Sequence, residues 1–290
     1  EAALAVAHEP ARAQALFARY RDAFSGAYRE AFPATTAVGD IRIIENLSAE
    51  APVNIDFYRR PDDPPHRASL KVWSAGRPMP LSERVPVLEN MGFKVVDERT
   101  YEINPAGEAP RAIWFHDMTL ERDEGGAIDL QGVAPRLEAC CLAVIAGEAE
   151  NDGFNALVLA AGLPWRDVAV LRAIARFLRQ ARIPYSQDYL WATLRKHPGI
   201  AAQINALFHA KFDPRLSLSP EERDARQKSL LDAIEIALRA VESLDEDVIL
   251  RRFVNAVQAA VRTNYFQRDG QGAHKPAIAI KFESRRLDDL

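Results

Sequence analysis

The chain has 290 residues, 48% of them apolar and 27% charged. Thirty-seven Lys+Arg against 41 Asp+Glu leave a net charge of -4. That balance belongs to an ordinary globular chain and excludes a disordered tail, a collagen-like rod and a basic nucleic-acid module. No apolar run approaches the ~18 residues of a spanning helix, which argues against a membrane protein. The length predicts about two domains. The chain opens at Glu1, not Met, with no charged-then-apolar leader, and stops at Leu287-Asp288-Asp289-Leu290. It therefore reads as an interior piece of a longer protein.

Leu16, Phe17, Tyr20, Phe24 and Tyr28 recur at helical spacing and predict one helix over 11–32, ended by Pro33. A short helix is expected over 37–47. The period then changes. Val53-Asn54-Ile55-Asp56-Phe57 alternates like a strand, Pro61-Asp62-Asp63-Pro64-Pro65 signals a turn, and 68–73 reads as a second strand, giving a hairpin. A helix over 82–91 is stopped by Gly92, a third strand covers 93–103, and Asn104-Pro105-Ala106-Gly107 makes a turn. A fourth strand is expected over 111–120 and a helix over 133–146.

This ββαββα order predicts an α+β fold with a four-stranded antiparallel, permuted ferredoxin-like sheet. The leading strand fills the edge beside the second. The fourth strand carries Ile113 and Phe115 on one face and Trp114 and Met118 on the other, so both faces should be covered. The two helices account for one face, and the helical half of the chain is expected on the other.

From Asp152 onward the pattern is helical. Val168, Leu171, Ile174, Phe177 and Leu178 share a face over 165–183, and helices over 186–196 and 199–212 follow. Ser219-Pro220-Glu221-Glu222 and Ser243-Leu244-Asp245-Glu246 are capping boxes. Leu230, Ile234, Leu238 and Val241 line one helix, and Ile249, Phe253, Val257 and Val261 the next. A last strand is expected over 277–282. The domain division is 1–50 (N-terminal helices), 51–150 (α+β domain), 151–276 (helical domain) and 277–290 (strand or linker).

Each feature that suggests chemistry has a structural reading beside it. Adjacent Cys140 and Cys141 cannot easily close a disulfide and read as small buried hydrophobes rather than a redox pair. Without a disulfide framework, the cytoplasm is the expected compartment. Gly270-Gln271-Gly272 lacks a third glycine and a strand–turn–helix context, so it reads as a loop rather than a nucleotide cradle. His209 and Asp213 stand four apart and read as a helix-end pair rather than metal ligands. His116 reads as a packed core histidine. The run Asp245-Glu246-Asp247 suits the positive end of a helix. Arg172, Arg176 and Arg179 form a stripe read as a solvated face, with contact to an acidic surface as the competing account. The loop Ser74-Ala75-Gly76-Arg77-Pro78-Met79-Pro80 follows the second strand, where ferredoxin-like regulatory modules often face an effector. Gly76, Arg77 and Leu81 are the candidate effector or interface contacts. No catalytic, cofactor-binding or metal residue is assigned.

Six strings occur in an order that resembles one family. They are Tyr28-Arg29-Glu30-Ala31-Phe32-Pro33 with Ala37-Val38-Gly39-Asp40-Ile41; Leu81-Ser82-Glu83-Arg84-Val85-Pro86 running on to Gly92; Glu150-Asn151-Asp152-Gly153-Phe154-Asn155; Leu163-Pro164-Trp165-Arg166-Asp167-Val168; Asp245-Glu246-Asp247 running on to Phe253; and Arg262-Thr263-Asn264-Tyr265-Phe266-Gln267. Together they resemble the very large bacterial NAD-dependent glutamate dehydrogenases. The resemblance implies a parent enzyme that converts L-glutamate to 2-oxoglutarate and ammonium with reduction of NAD. It implies that this chain is an ACT-like module plus a helical motif upstream of the catalytic domain, with the catalytic lysine motif and dinucleotide fold beyond residue 290. The expected partners are the enzyme's own catalytic domain, sister subunits of a homo-oligomer and an amino-acid effector, with no nucleic acid and no membrane. A ligand-free interaction scaffold is the alternative.

Overall fold

The computed structural model describes residues 2–107 and 112–287. It falls into two compact units. One is built on residues up to Glu89 with Phe93–Leu142, the other on Asn90–Gly92 and the chain from Ala143.

The first unit begins with α1 (Ala2–Ala7), α2 (Pro10–Tyr20), α3 (Gly26–Ala31) and α4 (Ala34–Ile44). The single helix expected over 11–32 is thus two helices. After Tyr20 the backbone leaves the helical path. Phe24 forms a β-bridge with Ile103, and the Asn104 amide donates to the Ala23 carbonyl at 3.0 Å. Ser25 then caps α3 by accepting from the Tyr28 amide. Periodicity survives the break because both helices face the same core. Phe32, forced extended by Pro33, separates α3 from α4.

The sheet has β1 (Val53–Tyr58), β2 (Arg67–Ala75), β3 (Phe93–Ile103) and β4 (Ile113–Arg122), all antiparallel, in the order β1-β2-β4-β3. This is the permuted ferredoxin-like order read from the sequence. Part of the fourth strand's expected start, Arg111, lies outside the described residues. Helices α5 (Leu81–Asn90) and α6 (Leu130–Ile145) complete the ββαββα succession. Gly92 turns the chain out of α5 with φ +91°.

Strand alternation sends Lys71, Trp73, Phe115 and Asp117 to one face and Val72, His116 and Met118 to the other. Helix α5 lies on the second face, where Arg84 pairs with Glu98 at 2.6 Å and reaches Met118. Glu138 of α6 accepts from the Phe57 amide at 3.1 Å, satisfying an edge-strand donor. The first face is covered by α2–α4, not by the helical half of the chain as expected. Leu16, Tyr20, Phe24, Tyr28, Ile41 and Ile44 form one core cluster with Trp73, Tyr101, Ile103, Ile113 and Phe115. The N-terminal helices, none longer than 11 residues, are too short to be stable apart from a partner surface, and the aromatic sheet face supplies it.

The second unit is helical. A short 3₁₀ turn (Gly153–Asn155) leads to α7 (Ala156–Ala161), α8 (Trp165–Gln180), α9 (Gln187–Lys196), α10 (Pro198–Phe212), α11 (Pro220–Leu238) and α12 (Leu244–Ala259). Val168, Leu171, Ile174 and Leu178 of α8 pack inside with Leu190, Leu194, Ile204, Phe208, Ile249 and Phe253. The Ser219 box is complete. The Ser243 box is half made: Ser243 accepts from the Glu246 amide, but the Glu246 carboxylate is taken by Lys196 and His197. Val261 is not on a helix. It lies in β5 (Ala260–Thr263), which pairs antiparallel with β6 (Ile280–Phe282), the shortened form of the expected last strand. Residues 288–290 of the expected closing segment lie outside the described residues.

Candidate functional site

The loop singled out by the sequence is a tight, solvent-facing turn. Gly76 has φ +91° and donates its amide to the Ala112 carbonyl at 2.9 Å, which ties the end of β2 to the start of β4. The Ser74 hydroxyl holds the turn by donating to the Arg77 carbonyl. Arg77 lies in the open, and its guanidinium is paired with Glu83 at 3.1 Å. Leu81 starts α5 and is 53% exposed. The structure therefore brings the three residues to one surface. All three are exposed and none lines a described pocket.

The buried polar chemistry of the first unit lies elsewhere, where sequence reasoning assigned none. Lys71 stands in the middle of β2 and its ammonium meets Asp40 of α4 at 3.1 Å. Asp40 also accepts from the Tyr28 hydroxyl. Four rings surround the ammonium: Phe32, Tyr58, Trp73 and Phe115, at 5.1–5.8 Å. Burial lifts the Asp40 carboxyl above its ordinary range, outweighing the ammonium that acts to lower it. Nearby, Asp117 accepts from Tyr58 at 2.8 Å and from Arg60 at 2.7 Å. The signal that could have found this cluster was a lysine inside an otherwise apolar strand, 68–73, since a lysine is almost never fully buried unpaired.

On the opposite face His116 is a packed core histidine, as expected. It is 1% exposed, and its Nδ1 lies within hydrogen-bond distance of Thr100 and Glu98. Burial, aided by the Arg84 charge, pushes its pKa down to about 4, so the ring is neutral near pH 7. Cys140 and Cys141 are buried, and burial pushes the Cys141 thiol up and keeps it unreactive.

In the second unit Asp167, in the first turn of α8, accepts from Asn205 at 2.9 Å, from the Tyr265 hydroxyl, and pairs with His209 at 2.9 Å. Burial alone would raise the Asp167 carboxyl, but His209, Tyr265 and Asn205 outweigh it and hold the pKa below the usual carboxylate range. His209 also approaches Asp213 at 3.8 Å, so the expected helix-end pair is one limb of a larger network. The network joins α8, α10 and the chain after β5. Its hydrogen bonds and ion pairs fasten these elements to one another.

The arginine stripe divides. Arg172 is buried rather than solvated, because it donates two hydrogen bonds to Asp152 at 2.8 Å and one to Asn155. Arg176 pairs with Glu150 and Arg179 is exposed. Arg172, Arg176 and Phe177 line a cleft of about 820 Å³ together with Ala277 and Phe282, whose ring stacks on Phe177 at 4.0 Å. The acidic run at the start of α12 is a set of struts: Asp245 accepts from Tyr185, Glu246 pairs with Lys196 and His197, and Asp247 pairs with Arg251. Among the described residues no group of three or more His, Cys, Asp and Glu side chains is placed to hold a metal ion. Nor is any described helix long and apolar enough to cross a membrane.

Four family models match the chain in succession. They are glutamate dehydrogenase helical motif 2 over residues 3–47, the glutamate dehydrogenase ACT3 domain over 52–133, helical motif 3 over 149–214, and the bacterial NAD-glutamate dehydrogenase catalytic domain over 233–290. The chain belongs to the large bacterial NAD-glutamate dehydrogenase family. It is 39% identical over 282 residues to the NAD-specific glutamate dehydrogenase of Halomonas elongata, a match covering 96% of this chain and 17% of that protein. It is 36% identical to the Pseudomonas aeruginosa enzyme of that name, over 95% of this chain and 17% of that protein. The Mycobacterium tuberculosis enzyme is 35% identical, over 93% and 17%. The chain thus spans about a sixth of the length of these glutamate dehydrogenases. The ACT3 match lies on the sheet with α5, and the helical motif 2 match lies on α1–α4, the layer that covers the sheet's aromatic face. The catalytic-domain match begins inside α11.

Proposed function

We propose that this chain is a regulatory and assembly segment of an NAD-dependent glutamate dehydrogenase acting in the cytoplasm, and that it holds no complete active site. The parent would oxidise L-glutamate to 2-oxoglutarate and ammonium with reduction of NAD, bound outside this segment. The supporting observation is the ordered succession of matches to a helical motif, an ACT domain, a second helical motif and a catalytic domain along one chain. The buried polar groups fit this reading, since the Lys71–Asp40, His209–Asp167 and Arg172–Asp152 pairs each fasten one element to another. Gly76, Arg77 and Leu81 would form a contact with the enzyme's own catalytic domain or a sister subunit. An effector amino acid would act by a coupling free energy of ~1–3 kcal/mol between its site and catalysis.

Glutamate-dependent NADH formation tests the reading. The 290-residue chain should show none, and the parent carrying Leu81→Asp should assemble or respond to amino acids differently from wild type. Activity in the chain alone would sink the assignment. The second reading, a scaffold without an effector, draws on the Arg77–Glu83 pair, which already occupies the loop's cation. The two separate by thermal shift: an amino acid at 100 times its Kd adds about 2.7 kcal/mol, whereas a scaffold gives no shift with any of them.

A further inference from the structure

Helices α1–α4 enclose a pocket of about 290 Å³, close to the lower end of ligand-cavity sizes. Leu4, Phe17, Phe24, Phe32, Val38 and Ile41 form its apolar walls. Tyr20 and Tyr28 also line it, but their hydroxyls are taken by Glu45 and Asp40, so they present rings rather than donors. The remaining polar lining is Arg21 and Arg29, both exposed and therefore at the mouth. Arg21 is paired with its neighbour Asp22 at 2.8 Å. Arg29 donates to the Arg21 carbonyl at 2.9 Å, which fixes its position, and among the described residues it has no carboxylate within ion-pair distance. A ring-walled cavity with a guanidinium at its opening that closes no ion pair, though Asp22 lies near enough to feel its charge, matches a molecule with an apolar body and a single anionic end.

We propose that this pocket binds a small carboxylate with an aromatic or branched aliphatic tail, the tail lying among Phe17, Phe24 and Phe32 and the carboxylate on Arg29. Burial of the tail supplies the apolar contribution, and the planar fork of the guanidinium supplies a charge-assisted pair of hydrogen bonds. The inference goes beyond the dehydrogenase reading, because it concerns binding by this chain and needs no catalysis to be tested.

The test is calorimetric titration of the 290-residue chain with phenylacetate and 4-methylpentanoate, beside phenethylamine and 2-phenylethanol, which keep a ring and lose the anion. Phenylacetate is expected to bind about tenfold or more tighter than either control, the discrimination of one charge-assisted contact. Arg29→Met should weaken phenylacetate by about the same factor and leave 2-phenylethanol unchanged. Val38→Trp fills the cavity and should abolish binding of both carboxylates. Arg29 is on the surface, so its replacement keeps the test valid if Val38→Trp fails to fold. No saturable binding of the carboxylates at millimolar concentration, equal affinity for all the ring compounds, or an Arg29→Met variant that binds as wild type would each overturn the proposal.

Discussion

Asp40→Ala removes the carboxylate that, among the described residues, pairs with the Lys71 ammonium, in a place where both side chains are buried. At 3.1 Å the attraction is about 5 kcal/mol for an effective dielectric near 20, before the opposing cost of desolvation. Taking away one member of a buried pair costs ~3–5 kcal/mol, because the other charge stays behind uncompensated. The four rings around Lys71 soften that loss through cation–π attraction, which favours the lower end, about 3 kcal/mol. Hydrogen exchange reads this unit by unit. Amides of β2 and α4 should exchange roughly 100-fold faster in Asp40→Ala, while those of α8 and α12 keep their wild-type rates. Asp40→Ala combined with Lys71→Met leaves no charge behind and should recover much of the loss. If the single variant changes β2 exchange by less than about tenfold, or the double variant is worse than the single, the buried-pair argument fails.

In the second unit, burial would lower the His209 pKa, but Asp167 and Asp213 outweigh it and hold it above its ordinary value. A group whose pKa rises on folding stabilises fully below its unfolded pKa, near 6.5, and loses that contribution as pH rises through the folded value. Asp167, with its pKa lowered, contributes above about pH 4 and is lost on acidification. Urea unfolding of α8–α12 should therefore show stability declining above roughly pH 6.5, a slope that His209→Gln flattens; equal slopes in both proteins would refute it. Arg172→Ala leaves Asp152 and Asn155 without their shared donor and should destabilise the second unit by about 2–3 kcal/mol, less than a fully buried pair because Asp152 is 25% exposed. Gly153→Ala would place a methyl 2.4 Å from the Trp191 ring, so a loss of about 1–3 kcal/mol and a shifted tryptophan emission are expected. Unchanged emission would show that the contact relaxes without moving the ring.

Capping by Ser219 and Ser243, the stop at Gly92 and the alternation of β1 each depend on a few neighbouring residues, so they were legible along the chain. The ββαββα succession then restricted the sheet to few topologies, and the observed strand order is the expected one. Gly76 and Arg77 follow β2 and Leu81 opens α5, but whether that stretch walls a pocket or presents an open surface depends on side chains that no spacing rule places.

What the amino-acid order determined by itself was the element types, the sheet order and the family resemblance, because these rest on local backbone preference, side-chain period and collinear motifs. Tertiary structure alone decided that Phe24 would bridge Ile103 and break a helix whose apolar period runs straight through. It also decided that α2–α4 would cover the aromatic sheet face, that Lys71 would find Asp40 across 31 positions, and that Arg172 would turn from a surface stripe into a buried clasp on Asp152. The physical reason is common to all of these. A buried charge or an apolar face selects a partner by proximity in the folded state, and helix period or β propensity carries no information about which distant residue that will be.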